Sequence, residues 1–168
     1  MQYLGINELD PEGSDLRLEL WENIYSDAGK VKDMTDSNAA WCGAFVNYIL
    51  KQTGTADLEG VDSSKLGWAA NFKKVGRRVA GNTTNQQLSN AQPGDIILVE
   101  ANTGSKRHVA FYAGHDPQSG QVYLLGGNQK DSVSMVPFSS KKIKSVRRVR
   151  TDRMTASEQE KISELMAG

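Results

Sequence analysis

The chain contains little cysteine and histidine, and this scarcity limits the folds and sites it can form. Among 168 residues there is one cysteine, Cys42, and there are two histidines, His108 and His115. A single thiol cannot close a disulfide within the chain, so a hydrophobic core has to supply the stability. So few sulfur and imidazole ligands also argue against a structural zinc site. We therefore expect no metal and no other cofactor.

An excess of charge of one sign is lacking, and so are long apolar runs. Twenty basic residues balance twenty acidic ones, so no overall field draws the protein to nucleic acid or to an anionic membrane. No apolar stretch approaches the length that spans a bilayer, and stable membrane insertion is not expected. The N-terminal stretch MQYLGINELDPEGSD has neither the basic nor the apolar region of a secretory signal, which predicts synthesis in the cytoplasm without that signal.

The residues that are present divide into a helical first half and a strand-rich second half. Apolar residues have helical spacing in DLRLELWENIYSDAG and AAWCGAFVNYIL, and a further short helix is predicted in SSKLGWAANFKKVG. Strands are predicted in GDIILVE, RHVAFYAG, VYLLGGN, SVSMVPF and KSVRRVR, and a final helix in TASEQEKISELMA. This order predicts one α+β domain over 1–168, with N-terminal helices packed on an antiparallel sheet of about five strands.

Cys42 lies in the first turn of the second predicted helix, where a thiol has two interpretations. Free cysteine is most often a small buried hydrophobe. However, the unpaired N–H groups and the dipole of a first helical turn favour the thiolate that a nucleophile needs. Trp41 is interpreted as core or as the wall of a groove, and Gly43 leaves room for a substrate backbone. The helix is expected to bury against the sheet the face formed by Trp41, Ala44, Phe45, Tyr48 and Ile49.

A nucleophilic cysteine needs a base, and the sequence favours His108 over His115. His108 begins a strand in which alternation puts Tyr112 on the same face, whereas His115 falls in a turn. Tyr112 either lines the site or fills the core. A third group would hold the imidazole in one tautomer. Asn128 is the first candidate, and the two glycines before it would let the backbone approach closely. Gln129 is the alternative, and it is otherwise expected to bind substrate. Asn128 can also be a turn residue in a left-handed conformation.

Four motifs, in this order, resemble the NlpC-like and CHAP superfamily of papain-like cell-wall hydrolases. They are AWCGAFVNYIL, QPGDIILVE, RHVAFYAG and YLLGGNQKDSVSMVPF, and the resemblance covers roughly residues 36–150. Within the superfamily, the chain looks most like a small bacterial and phage subgroup. The resemblance implies a papain-like fold in which Cys42 is the nucleophile, His108 the general base and acid, and Asn128 the orienting residue. Many CHAP members carry a glutamate where this chain has Gly126.

The same resemblance implies a peptidoglycan hydrolase, a cysteine amidase or endopeptidase that cuts an amide bond in or next to the stem peptide. Without a signal, the expected route to the periplasm or cell wall is release as a phage endolysin or injection as a type VI antibacterial effector. An effector would have a cognate immunity protein as its partner, and the protein itself is expected to be a monomer. The alternatives are a cysteine protease or deamidase acting on protein, and a non-catalytic binding or phage structural module.

The tract KKIKSVRRVR near the C-terminus concentrates six basic residues. One interpretation is a contact with an anionic polymer of the cell envelope. The favoured interpretation is a solvated edge strand whose charges prevent aggregation. Nucleic acid is not expected as a partner, because the tract has no interleaved aromatic residues on which bases would stack.

Overall fold

The computed structural model describes residues 3–25, 40–53, 67–101 and 107–149. The α-helices in this part of the chain are α1 (Pro11–Tyr25), α2 (Cys42–Gln52) and α3 (Thr84–Ser89). Two short 3-10 helices cover Ala69–Lys74 and Ser140–Lys142. The strands are β1 (Arg77–Arg78), β2 (Ile96–Glu100), β3 (Arg107–Asp116), β4 (Gln121–Gly126), β5 (Ser134–Ser139) and β6 (Ile143–Arg148).

The strands form one antiparallel sheet in the order β1-β6-β2-β3-β4-β5. The predicted α+β class is therefore confirmed, and the predicted strands are β2 to β6. The two-residue β1 adds a sixth strand that was not expected. In β3, Val109 and Phe111 pack on the side of α2, whereas Ala110 and Tyr112 belong to a second core cluster. The predicted alternation of this strand is thus confirmed.

The helices follow the sequence less closely than the strands do. The short helix predicted in SSKLGWAANFKKVG is a 3-10 helix over Ala69–Lys74. Helix α3 was not predicted, although Thr83 and Gln86 form a capping box at its start. The final helix predicted in TASEQEKISELMA lies outside the described residues. No helix in the described part of the chain combines the length and the apolar character needed to cross a membrane.

Helix α2 is buried on two sides. Its predicted apolar face packs chiefly with Leu16 and Leu20 of α1 rather than with the sheet. A second stripe, Cys42, Val46 and Leu50, meets the sheet. The expectation that the predicted face would lie on the sheet therefore needs correction. Because both sides are covered, the helix and the thiol at its start are enclosed between α1 and the strands.

A tight turn starts β2 and is tied to the end of β6. The N–H of Asp95 donates to the carbonyl of Gln92 over 2.9 Å, and Gly94 between them has φ 90°, as a type II turn after Pro93 requires. The carboxylate of Asp95 accepts two hydrogen bonds of 2.7 Å from the guanidinium of Arg148. Asp95 is buried, so this ion pair joins two strands inside the fold.

The basic tract is mostly engaged within the protein. Arg147 donates to the backbone carbonyls of Val75 and Gly76, and Lys144 pairs with Glu100. Strand β6 pairs with β2 on one side and with β1 on the other, so it is not the edge strand that was expected. Its cations instead hold neighbouring segments of the chain together.

Candidate active site

Cys42 is the first residue of α2, and its thiol lies against β3. Trp41 is the N-cap residue, and no side chain caps this end of the helix. The sulfur accepts backbone hydrogen bonds from Val109 of β3 and from the first helical turn, at Gly43 and at Cys42 itself. The residue is 3% exposed. Helix α2 therefore brings the single thiol to the backbone of the residue that follows His108.

Burial decides the protonation state of this thiol. It raises the pKa of Cys42 above the ordinary value, and the backbone N–H groups that favour the thiolate offset this only in part. The helix N-terminus was expected to favour the thiolate, and that expectation is corrected. Removing the sulfur from water disfavours its charged form by more than the N–H groups stabilise it, so Cys42 is a neutral thiol at neutral pH.

The imidazole of His108 is also buried and also neutral. Its ring stacks on Phe138 of β5, with centroids 5.6 Å apart and planes 14° from parallel. Burial lowers the pKa of His108 to about 4. Its Nε2 is buried and has no hydrogen-bond partner. At neutral pH the imidazole is therefore uncharged, and one of its two nitrogens is able to accept a proton.

Cys42 and His108 approach the same strand, but they do not touch through their side chains. The thiol bonds to the backbone of Val109, while the side chain of His108 leaves β3 on the face that carries Ala110 and Tyr112. Among the described residues, no hydrogen bond joins the thiol to the imidazole. The expected nucleophile and base are thus brought to adjacent residues of β3 without forming a pair.

Asn128, the expected third residue, lies just beyond the end of β4 and has φ 58°. This is the left-handed conformation of its alternative interpretation as a turn residue. Lys130 and Asp131 have the same conformation, with φ 55° and 59°. Within the described part of the chain, no hydrogen bond connects Asn128 with His108. Asn128 therefore keeps the connection between β4 and β5 tight, and the structure does not place it on the imidazole.

Gln129 has a structural task that the sequence did not indicate. Its Nε2 donates to the carbonyls of Leu124, Gly126 and Ser134, over 3.3, 3.0 and 2.7 Å. These bonds close the end of the β4–β5 pair, and they leave Oε1 buried without a partner. Gln129 is 4% exposed. Its expected role in substrate binding is corrected, because the amide is committed to the backbone.

The other residues expected to bind substrate are buried as well. Trp41 is 1% exposed, and its Nε1 donates a hydrogen bond of 2.6 Å to Oε2 of Glu8. Gly43 is buried in α2. The hydroxyl of Tyr112, which is also buried, is 2.6 Å from Nδ1 of His115. Of the two interpretations of Trp41 and of Tyr112, the structure supports the core, and none of the three offers a surface to a ligand.

The two glycines before Asn128 allow close packing, as expected. A Cβ on Gly126 would lie 2.7 Å from Cβ of Ala110, and a Cβ on Gly127 would lie 2.3 Å from Cζ3 of Trp41. Both distances are shorter than any real carbon contact. The missing side chain of Gly126 therefore leaves room for Ala110 of β3, and that of Gly127 leaves room for Trp41, the residue before Cys42.

Sequence reasoning missed two groups that position Cys42. Glu8 holds Trp41 through its carboxylate, and the backbone N–H of Val109 holds the thiol. Neither has a sequence signal, because Glu8 lies in an ordinary acidic segment and a backbone N–H is independent of residue type. In the described part of the chain, no group of three or more histidine, cysteine, aspartate or glutamate side chains is placed to hold a metal ion.

Comparison with known proteins finds no family model and no curated protein that matches this chain.

Proposed function

We propose that the protein is a peptidoglycan hydrolase in which Cys42 is the nucleophile and His108 the general base. One observation carries the proposal: the thiol starts a helix and bonds to the backbone of Val109, directly after His108. The chain has one cysteine and only two histidines. The cysteine and one of the histidines therefore lie near the same end of β3, and thiol catalysis of acyl transfer would further need their side chains to come within hydrogen-bond reach.

The reaction would start from a neutral thiol and a neutral imidazole. His108 takes the proton of Cys42 as the sulfur attacks an amide carbonyl carbon. The imidazolium then gives that proton to the nitrogen as the C–N bond breaks and the amine leaves. Water attacks the thioester carbonyl carbon and its proton passes to His108. As the S–C bond breaks and the acid leaves, the imidazolium gives this proton to the sulfur, which restores the neutral thiol and the neutral imidazole. For the first step, the start of β3 has to rearrange so that the imidazole leaves Phe138 and reaches the sulfur on the other face of the strand. Asn128 is the proposed group that then orients it.

The substrate class rests on the four motifs and their order. An amide bond in or next to the stem peptide is the proposed target, and the periplasm or cell wall the proposed place of action. Endolysin and type VI effector remain the two proposed biological settings, and the second would add an immunity protein as a partner.

Digestion of purified peptidoglycan tests the proposal. Mass spectrometry should find new amine and carboxyl termini with the wild type, and should find none with Cys42→Ala or His108→Ala. Gln52→Ala is the matched control, since Gln52 lies exposed at the far end of the same helix. We expect it to digest as the wild type does. Identical digests from the wild type and Cys42→Ala would exclude the hydrolase.

A second candidate function, a non-catalytic binding module, is favoured by the burial of Cys42 and by the absence of a bond to His108. It predicts that the wild type releases no new termini from peptidoglycan or from protein substrates. It also predicts that Cys42→Ala retains every binding activity of the wild type, because the thiol would act only in packing. The digestion experiment separates the two candidates in one measurement.

A further inference from the structure

We propose that a cavity between α3 and the β3–β4 hairpin binds a neutral saccharide. The cavity has a volume of about 310 Å³, which lies at the lower end of the range for small-molecule sites. It is lined by residues of α3, of the hairpin and of the following 3-10 helix, among them Asn85, Leu88, His115, Gln121 and Ser140.

This cavity does not include Cys42, although Phe138, which pairs with Val122 of its lining, stacks on His108. His115 lies seven residues after His108 on β3, which corresponds to about 23 Å of extended strand. Cys42 contacts the opposite end of the same strand, at Val109. A ligand in the cavity therefore does not reach the thiol, and the two sites can be tested independently.

The rim of the cavity is held by its own hydrogen bonds. The carboxylate of Asp116 accepts from the N–H of Gln118 over 2.8 Å and from the hydroxyl of Ser119 over 2.6 Å. The N–H of Gly120 donates to the carbonyl of Asp116, and the N–H of Ser140 donates to that of Gly120, each over 2.9 Å. The hairpin turn is thereby fastened to the 3-10 helix, so the walls are formed before any ligand enters.

The larger part of the cavity's lining is polar, and one wall is an aromatic ring. Leu88 and Val122 belong to the lining, but they are buried and present little surface to a ligand. The imidazole of His115 is held by the hydroxyl of Tyr112, 2.6 Å from its Nδ1. The face of the imidazole suits the C–H face of a sugar ring, while the polar lining is available to its hydroxyl groups.

The polar groups of the lining select a neutral ligand. The side-chain amides of Asn85, Gln118 and Gln121 make no hydrogen bond within the described part of the chain, and each offers two donors and one acceptor. Sugar hydroxyls donate and accept at once, so amides match them. Among the described lining residues there is no lysine or arginine, and the carboxylate of Asp116 repels anions. A phosphate or carboxylate ligand is therefore disfavoured.

A titration followed by NMR tests the saccharide site. The full chain, labelled with ¹⁵N, is titrated with N,N′-diacetylchitobiose and, separately, with inorganic phosphate. The saccharide should shift the backbone amides of 115–121 and the side-chain amides of Asn85 and Gln121. Replacing both side chains (Asn85→Ala with Gln121→Ala) should raise Kd about tenfold through the lost hydrogen bonds. Gln52→Ala removes an exposed amide elsewhere and should leave Kd unchanged.

Three results would overturn the proposal. The first is the absence of shifts at millimolar saccharide, and the second is a Kd that the double variant does not change. The third is a stronger response of the same amides to phosphate, which would exclude the neutral class of ligand. The dispersion of the amide spectrum shows in the same experiment that each variant is folded. Because only binding is measured, a failure of the hydrolase proposal would leave this result untouched.

Discussion

The indole Nε1–H of Trp41 donates a hydrogen bond of 2.6 Å to the carboxylate of Glu8, and both side chains are buried. The N–H of Glu8 in turn donates to the carbonyl of Asp131 over 2.7 Å. Glu8 therefore links the segment between β4 and β5 to Trp41, the residue that precedes Cys42. The position of Cys42 thus depends on a segment more than thirty residues earlier in the chain.

Replacement of Glu8 tests this connection. In Glu8→Leu the indole N–H is left buried without an acceptor, which should lower the free energy of unfolding by about 1–3 kcal/mol. Glu8→Gln keeps an acceptor and should cost less than Glu8→Leu. Urea denaturation measures both. Glu22→Leu, at an exposed position of α1, is the control and should change stability by less than about 0.5 kcal/mol. Equal losses in Glu8→Leu and Glu22→Leu would contradict the assigned role.

The strands could be predicted from the sequence because their signals are local. Alternation identified β3 and showed that Val109 and Ala110 lie on different faces. The alternation does not show on which face of the sheet a helix packs, since helix packing depends on contacts between distant segments. Helix α2 packs on the face of Val109, whereas the side chain of His108 leaves β3 on the opposite face, which carries Ala110. The sequence therefore predicted correctly that Cys42 starts a helix and that His108 lies in a strand. The side chains of the two residues, however, do not form the expected pair.

Other features were missed because competing effects cannot be weighed from a sequence. The helix N-terminus favours a thiolate at Cys42, but only the fold shows that burial outweighs it. The asparagine–glutamine pair after β4 suggested a catalytic amide, whereas three backbone carbonyls occupy the amide of Gln129. For α3 a signal existed, since Thr83 and Gln86 have capping-box spacing. Apart from this box nothing indicates a helix, because five of the six residues of α3 are polar and show no apolar periodicity.

Two ion pairs of the basic tract should differ strongly in their effect on stability. Asp95 is 2% exposed, so Arg148→Ala leaves a buried carboxylate unpaired and should cost about 3–5 kcal/mol. The pair of Lys144 and Glu100 has side chains 39% and 41% exposed, and Lys144→Ala should cost less than about 1 kcal/mol. Chemical denaturation of the two variants compares them directly. Similar losses would show that the pair at Asp95 has no special structural role.

Alkylation measures the burial of Cys42. Because burial raises the pKa of the thiol, iodoacetamide should react with the folded protein at least about tenfold more slowly than with the protein in urea. The rate for the folded protein should still be rising above the ordinary thiol pKa. The double variant Cys42→Ala with Gln52→Cys moves the thiol to an exposed position of the same helix, and it should react at the rate of a free thiol. Fast alkylation of the folded wild type would show that Cys42 is accessible and ionised.

Gly127 should be required for the buried position of the Trp41 side chain. In Gly127→Ala the new Cβ would meet the indole, which should cost about 1–3 kcal/mol through overpacking. Trp41→Leu should lower the free energy of unfolding by itself. In that background, Gly127→Ala should lower it by less than it does in the wild type. A double-mutant cycle measured by denaturation gives the coupling between the two residues. Additive losses would mean that Gly127 is needed for a reason other than the indole.

The burial of His108 should make stability depend on pH. The folded protein binds a proton at His108 only near pH 4, whereas the unfolded chain binds one near the ordinary pKa of 6.5. Between these values the unfolded state holds more protons, so the free energy of unfolding falls as the pH is lowered from 6.5 to 4. Below pH 4, His108 lowers the free energy of unfolding by about 3 kcal/mol, and above pH 6.5 it causes no such loss. His108→Phe keeps an aromatic ring against Phe138 and removes the titrating group. Urea midpoints across this pH range should therefore fall less steeply for the variant than for the wild type, and parallel curves would show that His108 titrates as it does in the unfolded chain.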